Sequence, residues 1–271
     1  CHLHLLAGRP HEQLNFDYQI EIANRMGYTD QGGKRGVEAF MQAYYRHAKE
    51  VGELTRFLCA TLEGDQKKSR PGVGAFLRAL NFGATRAVEH GFVIRDGRID
   101  IGDESFIEDD PLNILRLFEE GLNSGALIHP HAFMMVARRL DLIDDKLRAS
   151  PEANAIFMRL LTETDNPERA LRRMNETGIL GAFIPEFDRI VALMQFNMYH
   201  HYTVDEHTIH AIGGLKRLEE GELISDLPVA SRILEDGVDR AVLYTALFLH
   251  DIGKGRTDPH EDVGADIAKV L

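Results

Sequence analysis

Between Val37 and Glu63 the adjacent pair Phe40 and Met41 is followed by Tyr44, Ala48, Val51, Leu54, Leu58 and Leu62, each three or four residues after the last. Only an α-helix gathers positions so spaced onto one side, so any fold open to this chain must house one long helix. Gln13–Met26 reads as a further helix, carrying apolar residues at Leu14, Ile20, Ile22 and Met26, with Gly27 as a C-terminal stop. From Gly64 to Gly74 the composition turns to Lys, Ser, Arg, Pro and Gly, which predicts a flexible loop.

One β signal interrupts the helices. Phe92-Val93-Ile94-Arg95 and Arg98-Ile99-Asp100-Ile101 flank Asp96-Gly97, a dipeptide suited to the positive φ angles of a type I′ hairpin. Asp110-Pro111, Ser150-Pro151 and Asn166-Pro167 each pair a capping residue with a proline suited to the first helical position, predicting three helix starts. The fold class predicted is mainly α. A helical linker region over 1–190 holds the small β-hairpin, and an incomplete all-α domain follows over 191–271. The boundary between them is soft, from about Gly178 to Met198. The Tyr44-Tyr45 and Met134-Met135 pairs read as core packing.

Composition narrows the function classes. The 271 residues carry a formal charge of −12, which disfavours a general nucleic-acid surface and favours a small or protein-borne substrate. No apolar run approaches the roughly 18 residues of a membrane span. The two cysteines, Cys1 and Cys59, are too few for a disulfide framework, which points to a reducing cytoplasm. A first residue that is not Met, and an end at Leu271 within helical spacing, give the expectation of a piece of a longer protein.

Six of the thirteen histidines, His200, His201, His207, His210, His250 and His260, fall in the last 72 residues. A His-Asp dipeptide arises about once by chance in such a chain, so the context of His250-Asp251 decides its meaning. Leu243, Ala246 and Leu247 share a helical face with His250, Asp251 follows, and Gly253 ends the helix. A second helix opens at Thr203, whose Thr-x-x-Glu spacing to Glu206 predicts a capping box that fixes His207 in the first turns. His210 lies on the same side as His207. A His from one helix and a His-Asp pair from another form a mixed nitrogen and oxygen set, suited to manganese, iron, zinc or magnesium. Taken singly, His207 and His250 read first as satisfied core histidines. His200 and His201 read as interface or hydrogen-bonding residues, and His210 as lining its helix. His260 reads as an exposed loop residue or a helix cap. Lys254 reads as exposed, yet placed to meet a phosphate.

The run His207, His250-Asp251-Ile252-Gly253-Lys254 and His260-x-x-x-Gly264-Ala265 resembles the signature of the HD phosphohydrolase superfamily. More narrowly, Leu3 to Arg9, Phe16 to Gln19, Val37 to Met41, Met194 to Phe196 and Tyr199 to His207 resemble one enzyme family. It is the family of bifunctional uridylyltransferase and uridylyl-removing enzymes acting on the nitrogen-regulatory protein PII. The resemblance implies a nucleotidyltransferase domain, a helical linker, an HD domain and two ACT domains that sense glutamine. This chain has no Gly-Ser and no Asp-x-Asp, so it implies that the transferase site lies outside the chain. It also implies His207, His250 and Asp251 as ligands of a divalent metal, magnesium or manganese, with a last ligand Asp beyond Leu271. Lys254 and His260 would hold the phosphate, and Cys1–Ile190 would couple the catalytic domains and help dock PII. The implied reaction is removal of UMP from a PII tyrosine, with UTP used by the transferase domain. Without that last Asp, weak metal binding and slow hydrolysis are expected of the chain itself. Two alternatives stand beside this reading: an HD hydrolase of a free nucleotide or nucleotide second messenger, and a non-catalytic helical regulatory module.

Overall fold

Proline and its preceding cap set the helix starts. A computed structural model of the protein describes residues 1–68, 91–103, 105–196, 202–235 and 237–271. In chain order the helices are α1 (His2–Ala7), α2 (Phe16–Arg25), α3 (Gly36–Lys68), α4 (Ser105–Asp109), α5 (Asn113–Asn123), α6 (Pro130–Arg138), α7 (Asp145–Arg148) and α8 (Pro151–Thr162). They continue with α9 (Pro167–Glu176), α10 (Ile179–Phe183), α11 (Pro185–Ile190), α12 (Val204–Glu219), α13 (Pro228–Glu235), α14 (Arg240–Leu249) and α15 (His260–Val270). The fold is mainly α. Ser150 accepts a hydrogen bond from the Ala153 N–H and Asn166 one from the Arg169 N–H, each with proline at the first helical position, as predicted. Asp110 differs. Its carboxylate accepts from the Leu112 N–H, but Pro111 and Leu112 form a separate turn and the helix proper begins at Asn113. A further instance escaped the sequence reading: His129 caps α6, its Nδ1 accepting from the His131 N–H ahead of Pro130.

The hairpin forms as predicted, from β1 (Val93–Arg95) and β2 (Arg98–Asp100), with Arg95 opposite Arg98. Asp96 and Gly97 take φ angles of 52° and 74°, the left-handed pair that a type I′ turn needs. A third strand, β3 (Leu127–Ile128), joins β2 in parallel. Two residues give no readable alternation, so this strand had no sequence signal.

α3 continues to Lys68, so the loop expected from Gly64 does not begin there; positions 69–74 lie outside the described residues. Val51, Leu54, Leu58 and Leu62 are exposed on it, so its later turns keep helical spacing without burying it. Tyr44 is exposed too and Tyr45 packs on the core from its edge, whereas Met135 is buried. Among the described residues no helix is long and apolar enough to cross a membrane.

The main apolar cluster runs from Phe92 to Ile252 and takes in residues on both sides of position 190, such as Leu171, Phe187, Ile190, Ile209 and Phe248. The rings of Phe187 and Phe248 stack in parallel 5.2 Å apart, joining α11 to α14. A smaller cluster of Ile22, Ala23, Val37, Phe40 and Met41 also receives Met194. Between these clusters, α3 holds the segment that leads to α12. The buried Gln42 amide donates to the carbonyls of Arg189 (3.1 Å) and Val191 (2.8 Å). Arg46 donates to the Asp188 carbonyl, and Glu38 accepts from the Phe196 N–H. Gln195 is thereby fixed between two anchored neighbours, Met194 and Phe196.

Candidate metal centre

Asp239 caps α14 by accepting from the Val242 N–H. Tyr244 and Phe248, four residues apart, face the core, with Leu243 and Leu247 at its edge and Ala246 exposed. His250 closes the helix in right-handed conformation, and Asp251 turns inward until 5% of it is exposed. The helix therefore ends at Leu249, ahead of Gly253. Gly253 allows the next crossing: a Cβ there would overlap the His260 carbonyl oxygen and stand 2.8 Å from the Gly264 nitrogen. Absence of a side chain thus sets how closely α15 returns past the end of α14.

α12 supplies the facing histidine. Asp205, Thr208, Ile209 and Ile212 form its buried stripe, which leaves His207 beside the end of α14. The predicted capping box does not form. Thr203 makes no side-chain cap, and the Glu206 carboxylate is taken by the Arg172 guanidinium of α9, which leaves it unable to fold back. Instead Asp205 locks the first turn, accepting from the Asn175 side-chain amide (2.9 Å) and the Ala192 N–H (3.1 Å).

These elements bring His207, His250 and Asp251 together, with one ligand atom from each inside 4.8 Å of the others. Asp251 Oδ2 is the hub. It lies 3.2 Å from His250 Nε2, 4.0 Å from His207 Nε2 and 2.8 Å from Lys254 Nζ. The His250 Nδ1 sits 2.6 Å from the Leu247 carbonyl oxygen, so Nδ1 carries a proton; Nε2 donates to the hub while the ring is charged and offers its lone pair to an ion once that second proton is lost. Burial alone would raise the Asp251 pKa, but hydrogen bonds from His250 and Lys254 outweigh it and hold the carboxyl far below the usual range. The same bond to Asp251 raises His250, against burial and with help from the Leu247 carbonyl. An ionised carboxylate and two imidazoles, half open to solvent, fit a divalent cation of intermediate hardness.

Lys254 departs from its exposed reading. Its side chain is 11% exposed, held between Asp251 and the Gln195 side-chain oxygen (3.0 Å), because the segment anchored by α3 closes over it. His260 begins α15 with its ring 3.3 Å from Glu261, and among the described residues it does not join the ligand group. His210 stacks on Tyr202 and approaches Glu168, away from the hub. His200 and His201 lie outside the described residues. Asp205 and Gln195 were missed. The signal for Asp205 was its place on the apolar stripe of α12, where a carboxylate needs a partner; Gln195 gave none.

Comparison with known proteins bears on the whole chain. Residues 1–59 match the family described as GlnD PII-uridylyltransferase, and residues 92–183 match Uridylyltransferase GlnD third domain. The chain is 54% identical over 269 residues, 99% of its length, to the bifunctional uridylyltransferase/uridylyl-removing enzyme of Cereibacter sphaeroides. The chain belongs to this family. The enzymes of the same name from Ruegeria pomeroyi and Azospirillum brasilense are 54% and 46% identical over all 271 residues. The chain spans 28% to 29% of the length of these uridylyltransferase/uridylyl-removing relatives. No solved structure matches it.

Proposed function

We propose that this chain carries most of the uridylyl-removing site of such an enzyme, and that 191–271 is the first part of an HD domain. The observation that supports this is the gathering of His207 with His250 and Asp251 across 43 residues of sequence. Those three residues would hold a divalent ion, magnesium or manganese, completed by ligands from elsewhere in the enzyme. When bound, such an ion supplies Lewis-acid chemistry: it polarises a phosphodiester oxygen and makes a bound water acidic enough to attack.

The chain's own residues prepare that chemistry. Asp251 stays ionised at neutral pH because His250 and Lys254 donate to it. The Leu247 carbonyl holds the His250 ring in the ligating tautomer. Lys254 keeps a positive charge beside the hub, where it offsets charge developing on phosphorus oxygens. His260 would help to hold the phosphate. The substrate is UMP on a tyrosine of PII: water adds to phosphorus as the tyrosyl oxygen leaves, giving UMP and free tyrosine. A phenol of pKa about 10 is a competent leaving group. Attachment of UMP from UTP would reside outside this chain, as would glutamine sensing. Residues 1–190 would couple the catalytic domains and help seat PII.

The test is a time course of uridylylated PII with manganese and the complete enzyme carrying His250→Ala and Asp251→Ala. Removal is expected to vanish and attachment to persist. Removal at the unmodified rate would place the chemistry elsewhere. Turnover of free nucleotides but not of modified PII would leave the HD site and change its substrate.

A further inference from the structure

A cavity of about 640 Å³ opens between α3, β2, α5, α6 and α9, on a different face of α9 from the one that carries Arg172 to Glu206. Its floor is apolar, formed by Phe118, Leu122, Ile128 and Phe133. Four arginines from three elements line it: Arg98 of β2, Arg138 of α6, and Arg169 and Arg173 of α9. Arg173 lies 5.9 Å above the Phe133 ring and is paired with Glu176 at 2.6 Å. Three carboxylates also line it: Glu176, and on the α3 wall Glu53 and Glu50, the last 3.3 Å from His47. Arg98, Arg138 and Arg169 have no ion pair among the described residues.

In a chain with 43 acidic and 31 basic residues, three unpaired arginines around one apolar hollow call for a reason. Arg138 has one in its helix, since a cation suits the last turn of α6. Arg169 has the opposite. It stands in the first turn of α9, where the helix dipole disfavours a cation. We propose that this cavity is a binding site for an organic anion of about nucleotide size, with a planar ring on the Phe118–Phe133 floor and a phosphate, sulfonate or carboxylate on the arginines. The volume falls within the usual range for small-molecule sites. Arg173 over Phe133 offers an edge against which a ring stacks, and guanidinium groups bind such oxyanions through paired N–H donors. The site is separate from the metal centre and stands whether or not the uridylyl-removing reading does.

The probe is 8-anilinonaphthalene-1-sulfonate, an aromatic monoanion, followed by fluorescence on the 271-residue protein. One saturable site is expected. Arg98→Gln and Arg169→Gln should each weaken it about tenfold, the loss of one charged hydrogen bond. Ala137→Trp, which fills the cavity from an exposed position, should abolish it. Arg25→Gln on α2, a surface control, should leave it unchanged. N-phenyl-1-naphthylamine, the same ring body without the sulfonate, should bind about tenfold less tightly or worse. Thermal melting of each variant keeps loss of fold apart from loss of binding. Equal affinity in the arginine variants, equal affinity for the uncharged probe, or no saturable site overturns the proposal.

Discussion

On Asp251 one oxygen serves two imidazoles and an ammonium, and this crowding fixes the charge state of the site. A carboxylate this buried is stable as an ion only while donors surround it. Lys254→Met should therefore destabilise the metal-free protein by about 1–3 kcal/mol at pH 7, measured by urea unfolding in chelator. The pH dependence has a definite sign. The folded Asp251 pKa lies below its unfolded value of about 3.9, so its contribution is full above that pH and fades as pH falls toward the folded value. The gap between Lys254→Met and the unmodified protein should narrow below about pH 4. A gap of the same size at pH 3 and pH 7 would assign the effect to packing. Gly253 offers a second test at this scale. Gly253→Ala drives a Cβ into backbone atoms of His260 and Gly264, which cannot swing aside, and should cost about 2–3 kcal/mol. Gly213→Ala meets the Glu168 side chain, which must swing off its pairing with Arg172 but moves no backbone, and should cost less in the same urea unfolding. The convergence of His207, His250 and Asp251 was legible in the sequence because residue type and helix ends nominate them. Lys254 was misplaced because the segment that buries it is positioned from α3, far away in sequence.

Among the elements, the same contrast separates local signals from distant ones. Ser150, Asn166 and the Asp96-Gly97 turn act within four residues of themselves, and each was readable. The Thr203–Glu206 box was equally regular in sequence, yet Arg172 captures Glu206 across 34 residues and dissolves it. β3 is held from a distance: His129 donates its N–H to the Ile99 carbonyl and α5 packs against the strand. α3 shows most clearly what an element does beyond its own turns. Gln42 donates to two carbonyls, those of Arg189 and Val191, at the start of the segment leading to α12. Gln42→Leu strands both and should cost about 1–3 kcal/mol in urea unfolding. Amide exchange at 192–196 should quicken more than in α8, which α3 does not hold. Equal quickening in both would mean that the substitution loosens the whole fold rather than this segment.

Across the molecule, one apolar cluster extends from the hairpin to Ile252, so α12 and α14 are already packed before any ion binds. An ion shared by His207 on α12 with His250 and Asp251 after α14 would add a tie between helices that the core holds side by side. Binding to the folded state alone stabilises by about 2.7 kcal/mol at one hundred times Kd. For a chain of this size that corresponds to a rise in Tm of roughly 5–10 °C. Scanning calorimetry with manganese should show this rise in the unmodified protein. His207→Ala removes the one proposed ligand that α12 contributes among the described residues and leaves the packed stripe of Thr208, Ile209 and Ile212 intact, so its metal-free Tm should stay close to the original. Its response to manganese should fall to a small fraction, because two adjacent ligands on one turn form a far weaker site than three from two helices. His210→Ala is the matched control: it removes an imidazole from the same helix that stacks on Tyr202 instead of facing the hub, and its manganese response should be retained. An equal rise in all three proteins would show that the ion binds elsewhere, most simply on surface carboxylates. The convergence of the three residues would then be a packing arrangement rather than a metal centre.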